Sequence, residues 1–398
     1  MGQLSDRIAN MEESATIAMA AKARELKDKG VDVISLSLGE PDFKTPKHIQ
    51  DGAIKAIEEG KYFAYPPVPG YADLREAISH KFKNENNLDY APTQIVVSNG
   101  AKQSIANVMY SLVNPGDEVV VFSPFWVSYT ALIQLAEGTP VLIKGGIEHD
   151  FKVTAEQLEA AITPKTKAII YSSPCNPTGS VFTKDELEKI AEVVLKHKDL
   201  YVISDEIYEH INYTGAHFSI GSIKGMEERT ITVNGMAKGF AMTGWRVGYI
   251  GAPLWIAKAC TKMQGQLTSA NCSIGQRAAL TALTSPLEPT KEMSKAYFNR
   301  RALVLSLLRD IPGIKVNEPQ GAFYFFPDVS NYFGKSDGST TINNASELSL
   351  YLLEKANVSV VTGEAFGDPS CIRLSYAASE EDLKEALSRI KATLALLK

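Results

Sequence analysis

The sequence predicts an α/β fold: a mainly parallel sheet in a large unit, joined to a smaller α+β unit. Three observations lead there. Between about residues 93 and 251, short β-rich runs alternate with amphipathic helix patterns. Those runs are apolar almost throughout rather than at every second position, as expected for strands covered on both faces. And the 398-residue chain exceeds the roughly 250–300 residues at which one hydrophobic core stops growing.

In order, Gln94–Val97 reads as a strand, Gly100 punctuates, and Ala101–Val113 reads as a helix. Glu118–Phe122 and Val141–Lys144 are apolar runs bounded by Pro and Gly. Thr154 with Gln157, and Thr183 with Glu186, form capping boxes opening the helix patterns Leu158–Ile162 and Leu187–Leu195. Lys167–Tyr171, Tyr201–Ser204, Thr230–Val233 and Val247–Gly251 complete the strands. Past them the character changes. Glu292–Leu308 is a long charged helix pattern, Gly321–Phe326 and Val358–Val361 are strand-like, and Ser379–Leu397 closes as a helix. The N-terminal helix Thr16–Lys29 and the strand Val33–Leu38 are expected to join this second group, and Gly334–Thr340 is a polar loop.

Composition narrows the class. Hydrophobic residues at 44% and charged residues at 22% are those of an ordinary globular protein. A net charge of −5 with scattered lysines and arginines argues against a nucleic-acid partner. Cys175, Cys260, Cys272 and Cys371 lie far apart with no CxxC pair, so neither a disulfide framework nor a metal site is expected. The N-terminal residues open no signal-type apolar stretch, Asp6 breaks a myristoylation pattern, and no run approaches the ~18 apolar residues of a membrane span. A cytoplasmic protein without a membrane partner is the expectation.

The most informative run is Val233-Asn234-Gly235-Met236-Ala237-Lys238, continued by Gly239-Phe240-Ala241-Met242-Thr243-Gly244-Trp245-Arg246. It sets a lysine in a small-residue turn between two apolar runs, with an arginine eight residues further on. A desolvated lysine attacks a carbonyl to form a Schiff base, and an arginine fork holds phosphate. Aldehyde-capturing amine plus phosphate clamp points to pyridoxal phosphate. That cofactor's chemistry asks for more: an acid for the pyridine nitrogen, a hydrogen bond to the ring phenolate, and a cation for the substrate carboxylate. Asp205, in Ser204-Asp205-Glu206-Ile207-Tyr208, emerges from a strand on the usual ligand side of an α/β sheet, with Tyr208 three residues on. Asn176 projects from the stiff turn Ser173-Pro174-Cys175-Asn176-Pro177-Thr178-Gly179. Gly100, Ala101 and Lys102 open a helix after a strand, where backbone N–H groups favour a phosphate. Trp126 offers an aromatic face to a ring, and Arg373 lies in the apolar run Ile372-Arg373-Leu374-Ser375. Taken singly, each has a plainer reading: a capping Asp beside a solvated Tyr, an ordinary Pro-Gly turn, a core Trp, an edge-strand Arg pointing to water.

Together these motifs resemble the class I aminotransferases, a fold-type I pyridoxal-phosphate family, and within it the bacterial aspartate aminotransferase subgroup. The likeness runs from Ser14-Ala15-Thr16 through Leu38-Gly39-Glu40-Pro41-Asp42-Phe43, Asn176-Pro177-Thr178-Gly179 and Ala237-Lys238 to Arg373-Leu374-Ser375-Tyr376. It implies a homodimer with shared active sites, a large cofactor domain (48–290) and a small domain from both termini (1–47 and 291–398). By position it makes Lys238 the Schiff-base lysine, Arg246 the phosphate arginine, Asp205 the pyridine-nitrogen partner, Tyr208 and Asn176 the phenolate pair, and Trp126 the stacking ring. Arg373 becomes the α-carboxylate binder and Gly39 a backbone contact to substrate, while Tyr65 reaches the neighbouring subunit's phosphate. Lys102, with Ser14 and Thr16 nearby, matches residues implicated in acidic-substrate recognition. Gly235 stands where many relatives have a phosphate-binding serine, so backbone contacts are expected there. Subgroup members that accept prephenate carry a basic residue near position 12; Glu12 and Glu13 argue against it here. The implied activity is reversible transamination between L-aspartate and 2-oxoglutarate. The runner-up is an aminotransferase preferring aromatic or other neutral amino acids, or prephenate, or a lyase on the same fold. A regulator with an idle domain lacks a DNA-reading segment here, and a nucleotide-binding protein lacks GxGxxG and Walker runs.

Overall fold

The computed structural model describes residues 4–9, 11 and 13–398; Glu12 lies outside the described residues. In chain order the strands are β1 (Ile34–Ser35), β2 (Ile95–Asn99), β3 (Glu118–Ser123), β4 (Thr139–Lys144), β5 (Thr166–Ser172), β6 (Tyr201–Asp205), β7 (Thr230–Gly235), β8 (Val247–Gly251), β9 (Tyr324–Phe325), β10 (Val358–Ser359), β11 (Val361–Thr362) and β12 (Ile372–Ser375).

Seven of them form one sheet in the order β2-β8-β7-β6-β5-β3-β4. Neighbours are parallel except around β8, which runs against both β2 and β7. The expected mainly parallel α/β sheet is therefore present. Its cause is visible in β3 and β5. Val119, Val121, Ala168 and Ile170 pack on one face with residues of the helices Ala101–Leu112, Ser128–Leu135 and Leu254–Leu267. Their neighbours Val120, Phe122, Ile169 and Tyr171 pack on the other face with residues of Ala155–Ala161 and Lys184–Lys196. A strand pleat turns successive side chains to opposite faces, so only an unbroken apolar run serves both. Each such valine, isoleucine or phenylalanine side chain contributes about 1.5–3 kcal/mol when fully buried. Both capping boxes form: Thr154 and Thr183 accept from the N–H groups of Gln157 and Glu186, whose side chains accept in return.

This topology gathers one end of the sheet for chemistry. The C-terminal ends of β2, β3, β5, β6 and β7 lie together, and because β8 is reversed its first residue arrives there too, with Gly235 paired to Gly248.

The C-terminal elements build a second core around the helices Glu288–Arg309, Ala345–Ala356 and Glu380–Leu394. β11-β12-β9 form an antiparallel sheet, and β1 pairs in parallel with β10, so the N-terminal strand joins this group. Three strands differ from expectation. Val358–Val361 divides at Val360 into β10 and β11, which belong to different sheets. Gly321–Phe326 shortens to Tyr324–Phe325, because the N–H groups of Gly321 and Ala322 donate to the carbonyls of Gly179 and Ile211 instead of a ladder, with Ala322 at φ 56°. Val33–Leu38 shortens to Ile34–Ser35. No helix among the described residues is long and apolar enough to cross a membrane.

Candidate active site

A cavity of about 640 Å³ opens where the ends of the large sheet meet β9 and β12. Lys238, Asp205, Tyr208, Asn176, Trp126, Arg246, Arg373, Gly39, Ala101, Lys102, Ser14 and Thr16 all line it. Residues scattered through the chain are thus brought together. Gly100 adjoins it as the residue before the helix Ala101–Leu112. Tyr65 is the exception: it is 96% exposed and lines a separate recess of about 360 Å³ with Pro66 and the segment 265–270.

Asp205, the last residue of β6, is buried, which excludes a solvated cap. Burial pushes its carboxyl up to about 6, opposed by the Tyr129 hydroxyl, which donates at 2.7 Å, and by the Ile207 N–H at 3.3 Å. Tyr208 is equally buried, and its hydroxyl pairs with that of Tyr324 at 2.7 Å. Lys238 donates to the Gly39 carbonyl. Burial draws its amine down to about 8; Glu40 opposes this, while Arg373 and Arg246 add to it. An amine in that range is free base in appreciable fraction near neutral pH, as a nucleophile requires.

Arg373 is only 2% exposed and sits on β12, the middle strand of its sheet, so it is no edge arginine facing water. Its guanidinium donates to Asn176 Oδ1 at 3.0 Å and to the Ser37 carbonyl at 2.6 Å, while Nε has no protein partner. Burial lowers its pKa. A buried cation with a donor left over is suited to an incoming carboxylate.

At the opposite wall the chain forms a cradle. Gly100 has φ +80°, and a Cβ there would meet Arg246 Nη2 at 2.4 Å. A Cβ on Gly248 would meet the Ala101 N at 2.1 Å, so β8 approaches the helix start closely only because it carries glycine. A Cβ on Gly235 would lie 2.8 Å from the Val247 carbonyl, so the backbone leaves no room for a side chain there. Arg246 donates to the carbonyls of Thr243 and Asn99. First-turn N–H groups beside an arginine have the chemistry to hold an anion. Lys102 lies at the mouth with its ammonium 5.1 Å from the Trp126 ring centroid; burial of that ammonium, then Arg246, lowers its pKa.

The motifs did not include Tyr129, Tyr324 or Gly248. Tyr129 follows Trp126 by three residues, yet its partner lies 76 positions away. Nothing local distinguishes it from a core tyrosine.

The cleft brings a buried lysine together with a glycine-lined helix start beside Arg246 and with the buried guanidinium of Arg373. Solved structures share the whole architecture. The aspartate aminotransferase of Rhizobium meliloti superposes with a TM-score of 0.96 at 40% identity, covering 100% of both chains. That of Thermus thermophilus with maleate gives 0.92 at 42%, covering 99% of this chain and 100% of the other. The bifunctional aspartate aminotransferase and glutamate/aspartate-prephenate aminotransferase of Petunia hybrida is 48% identical, over 99% of this chain and 83% of its own length. Residues 31–390 match the family model for aminotransferase class I and II, and the chain belongs to that family. Its fold is that of the pyridoxal-phosphate aspartate aminotransferases.

The donor set fits the cofactor this family implies: the glycine-lined cradle, the desolvated lysine and the buried carboxylate are each of the type pyridoxal phosphate needs.

Proposed function

We propose that the chain catalyses reversible transamination between L-aspartate and 2-oxoglutarate with pyridoxal phosphate, as a cytoplasmic homodimer. One observation carries the reading: Lys238, Asp205 and Arg373 face a single cavity with the anion cradle at its wall. When bound, the cofactor supplies the aldehyde and the electron-accepting ring. Lys238 would hold its aldehyde carbon, the Gly100–Lys102 backbone and Arg246 its phosphate, Asp205 its ring nitrogen, Tyr208 and Asn176 its ring oxygen, and Trp126 its ring face.

The protein's own part is positioning and proton handling. Arg373 takes the α-carboxylate and so fixes which Cα bond stands perpendicular to the cofactor ring. Gly39 offers backbone to the substrate. Lys238 Nζ would remove the Cα proton and return it two bonds away, to the carbon on the far side of the amino nitrogen, as general base and then acid. Lys102, with Ser14 and Thr16, meets the distal carboxylate. Tyr65 serves the neighbouring subunit's phosphate, in keeping with its exposed ring. We divide the chain into a cofactor domain at 48–290 and a small domain from 1–47 and 291–398. The cysteines, all free, suit a reducing compartment.

Lys238→Ala is expected to abolish both the visible absorbance of lysine-bound cofactor and steady-state transamination; persistence of both refutes the assignment. Lys102→Gln should reduce kcat/KM for aspartate more than for alanine or phenylalanine, and equal loss for all three rejects its role. Prephenate or aromatic acceptors form a second reading. The prephenate activity of the petunia relative and the exposed apolar side chains of Ile17 and Leu38 at the cavity favour it, while Glu13 stands against it. Rates with aspartate, alanine, phenylalanine and arogenate as donors to 2-oxoglutarate separate the two.

A further inference from the structure

Tyr324 stands where the two sheets meet. It is the first residue of β9, pairs with Ser375 of β12, and is 0% exposed. Its hydroxyl lies 2.7 Å from that of Tyr208. Its ring centroid lies 4.6 Å from the Arg373 guanidinium. A Cβ built on Gly39 would come within 2.4 Å of its hydroxyl, so the backbone that accepts from Lys238 is pressed against it. One side chain therefore touches the residues proposed for the cofactor oxygen, the substrate carboxylate and the substrate backbone contact.

Packing alone accounts for the ring and not for the hydroxyl. Phe323, Phe325 and Phe326 flank it in the same buried surroundings, and a phenylalanine would fill the space without the cost of burying a polar group. The hydroxyl has its partner in Tyr208, inside the cavity.

We propose that Tyr324 is a positioning residue that locks Tyr208 to Arg373, so that filling the carboxylate site is transmitted to the Tyr208 hydroxyl. This rests on the roles given above to Tyr208 and Arg373. Arg373 on β12, Asp205 on β6, and Lys238 and Glu40 on the connecting loops are the charged groups that face the two phenols. Burial raises both phenol pKa values, and the Arg373 charge works against that rise. A carboxylate on Arg373 cancels much of that charge, so the tyrosine pair holds its protons more tightly. Since the ring lies against the guanidinium, a shift of Arg373 toward a ligand would bear on the ring and, through it, on the hydroxyl pair.

The test uses holoenzyme and succinate, an unreactive dicarboxylate. The pH midpoint of the bound cofactor's absorbance change is measured with and without succinate in wild type, Tyr324→Phe, Tyr208→Phe and the double variant. Succinate is expected to displace the midpoint in wild type. Tyr324→Phe should shrink that displacement and weaken succinate roughly two- to tenfold, the range for one lost hydrogen bond. The double variant should be no worse than the more affected single, as for two residues acting through one contact. A full wild-type displacement in Tyr324→Phe, or additive losses in the double variant, overturns the proposal; a merely structural tyrosine would lower the melting temperature and leave the displacement intact. Should Tyr324→Phe fail to fold, Tyr208→Phe breaks the same pair, and an undiminished displacement there is equally fatal. Coloured wild-type holoenzyme with no displacement sinks this inference alone, whereas protein that stays colourless with cofactor sinks the function proposed above.

Discussion

Asp205 and Glu209 are four residues apart, both acids and both buried, yet their carboxyls are shifted in opposite directions. Burial lifts Asp205 to about 6. Burial pushes Glu209 upward too, yet Lys81, His210 and His217 outweigh it and hold the carboxyl at about 2. The difference lies in what each faces. Glu209 points away from the cavity into a closed network: Lys81 pairs with it, Asn86 donates to it at 2.6 Å, and Glu206 alongside is held by Ser219 and His217. Asp205 lines the cavity and is held by a phenol and a peptide N–H, with the Lys238 charge a lesser help. One acid has its ion-pair partner built into the fold; the other faces the cavity with no cation in contact among its hydrogen-bond partners.

The contrast can be broken from either end. The largest expected effect is Lys81→Met, which strands Glu209 and should cost about 3–5 kcal/mol of stability, with much of it recovered in Lys81→Met/Glu209→Gln. Urea unfolding of the cofactor-free protein measures both, and a near-neutral single variant would dissolve the distinction. Next is Asp205→Asn. An acid whose folded pKa is raised loses stability as pH climbs from its unfolded value near 4 through about 6, here on the order of 3 kcal/mol. The variant should flatten that part of the stability–pH curve in cofactor-free protein. Lys238→Met sharpens the comparison in the other direction. The wild-type amine, drawn down to about 8, makes stability rise between about pH 8 and 10. Its replacement should remove that rise and leave the protein as stable or more so at pH 7, unlike the loss at Lys81. Smallest is Tyr129→Phe, which takes one hydrogen bond from Asp205, about 1 kcal/mol; the pH span over which stability falls should move upward.

What the chain made legible follows from how local the cause is. The strands of the large sheet could be placed because burial on both faces imposes a continuous apolar run, and the capping boxes because their partners are three residues apart. Val358–Val361 misled because division between two sheets depends on which backbones lie beside it, and Gly321 and Ala322 because their N–H groups are claimed by the turn at Gly179 and by Ile211. Around the cavity, Lys238 and Asn176 stand out in turns that follow strands, and Asp205 at the end of one. Tyr129, Tyr324 and Lys81 do not, since the groups giving them meaning are distant in sequence and arrive only through folding.

The reversal of β8 has a mechanical consequence. In an all-parallel sheet the next strand would begin at the far edge, and amine and guanidinium would hang from separate supports. Here both ride on one hairpin connection between β7 and β8, hinged to the sheet at the Gly235–Gly248 pair. Whatever sliding the surrounding layers undergo as ligands come and go, the distance between the two handles is a property of that single span.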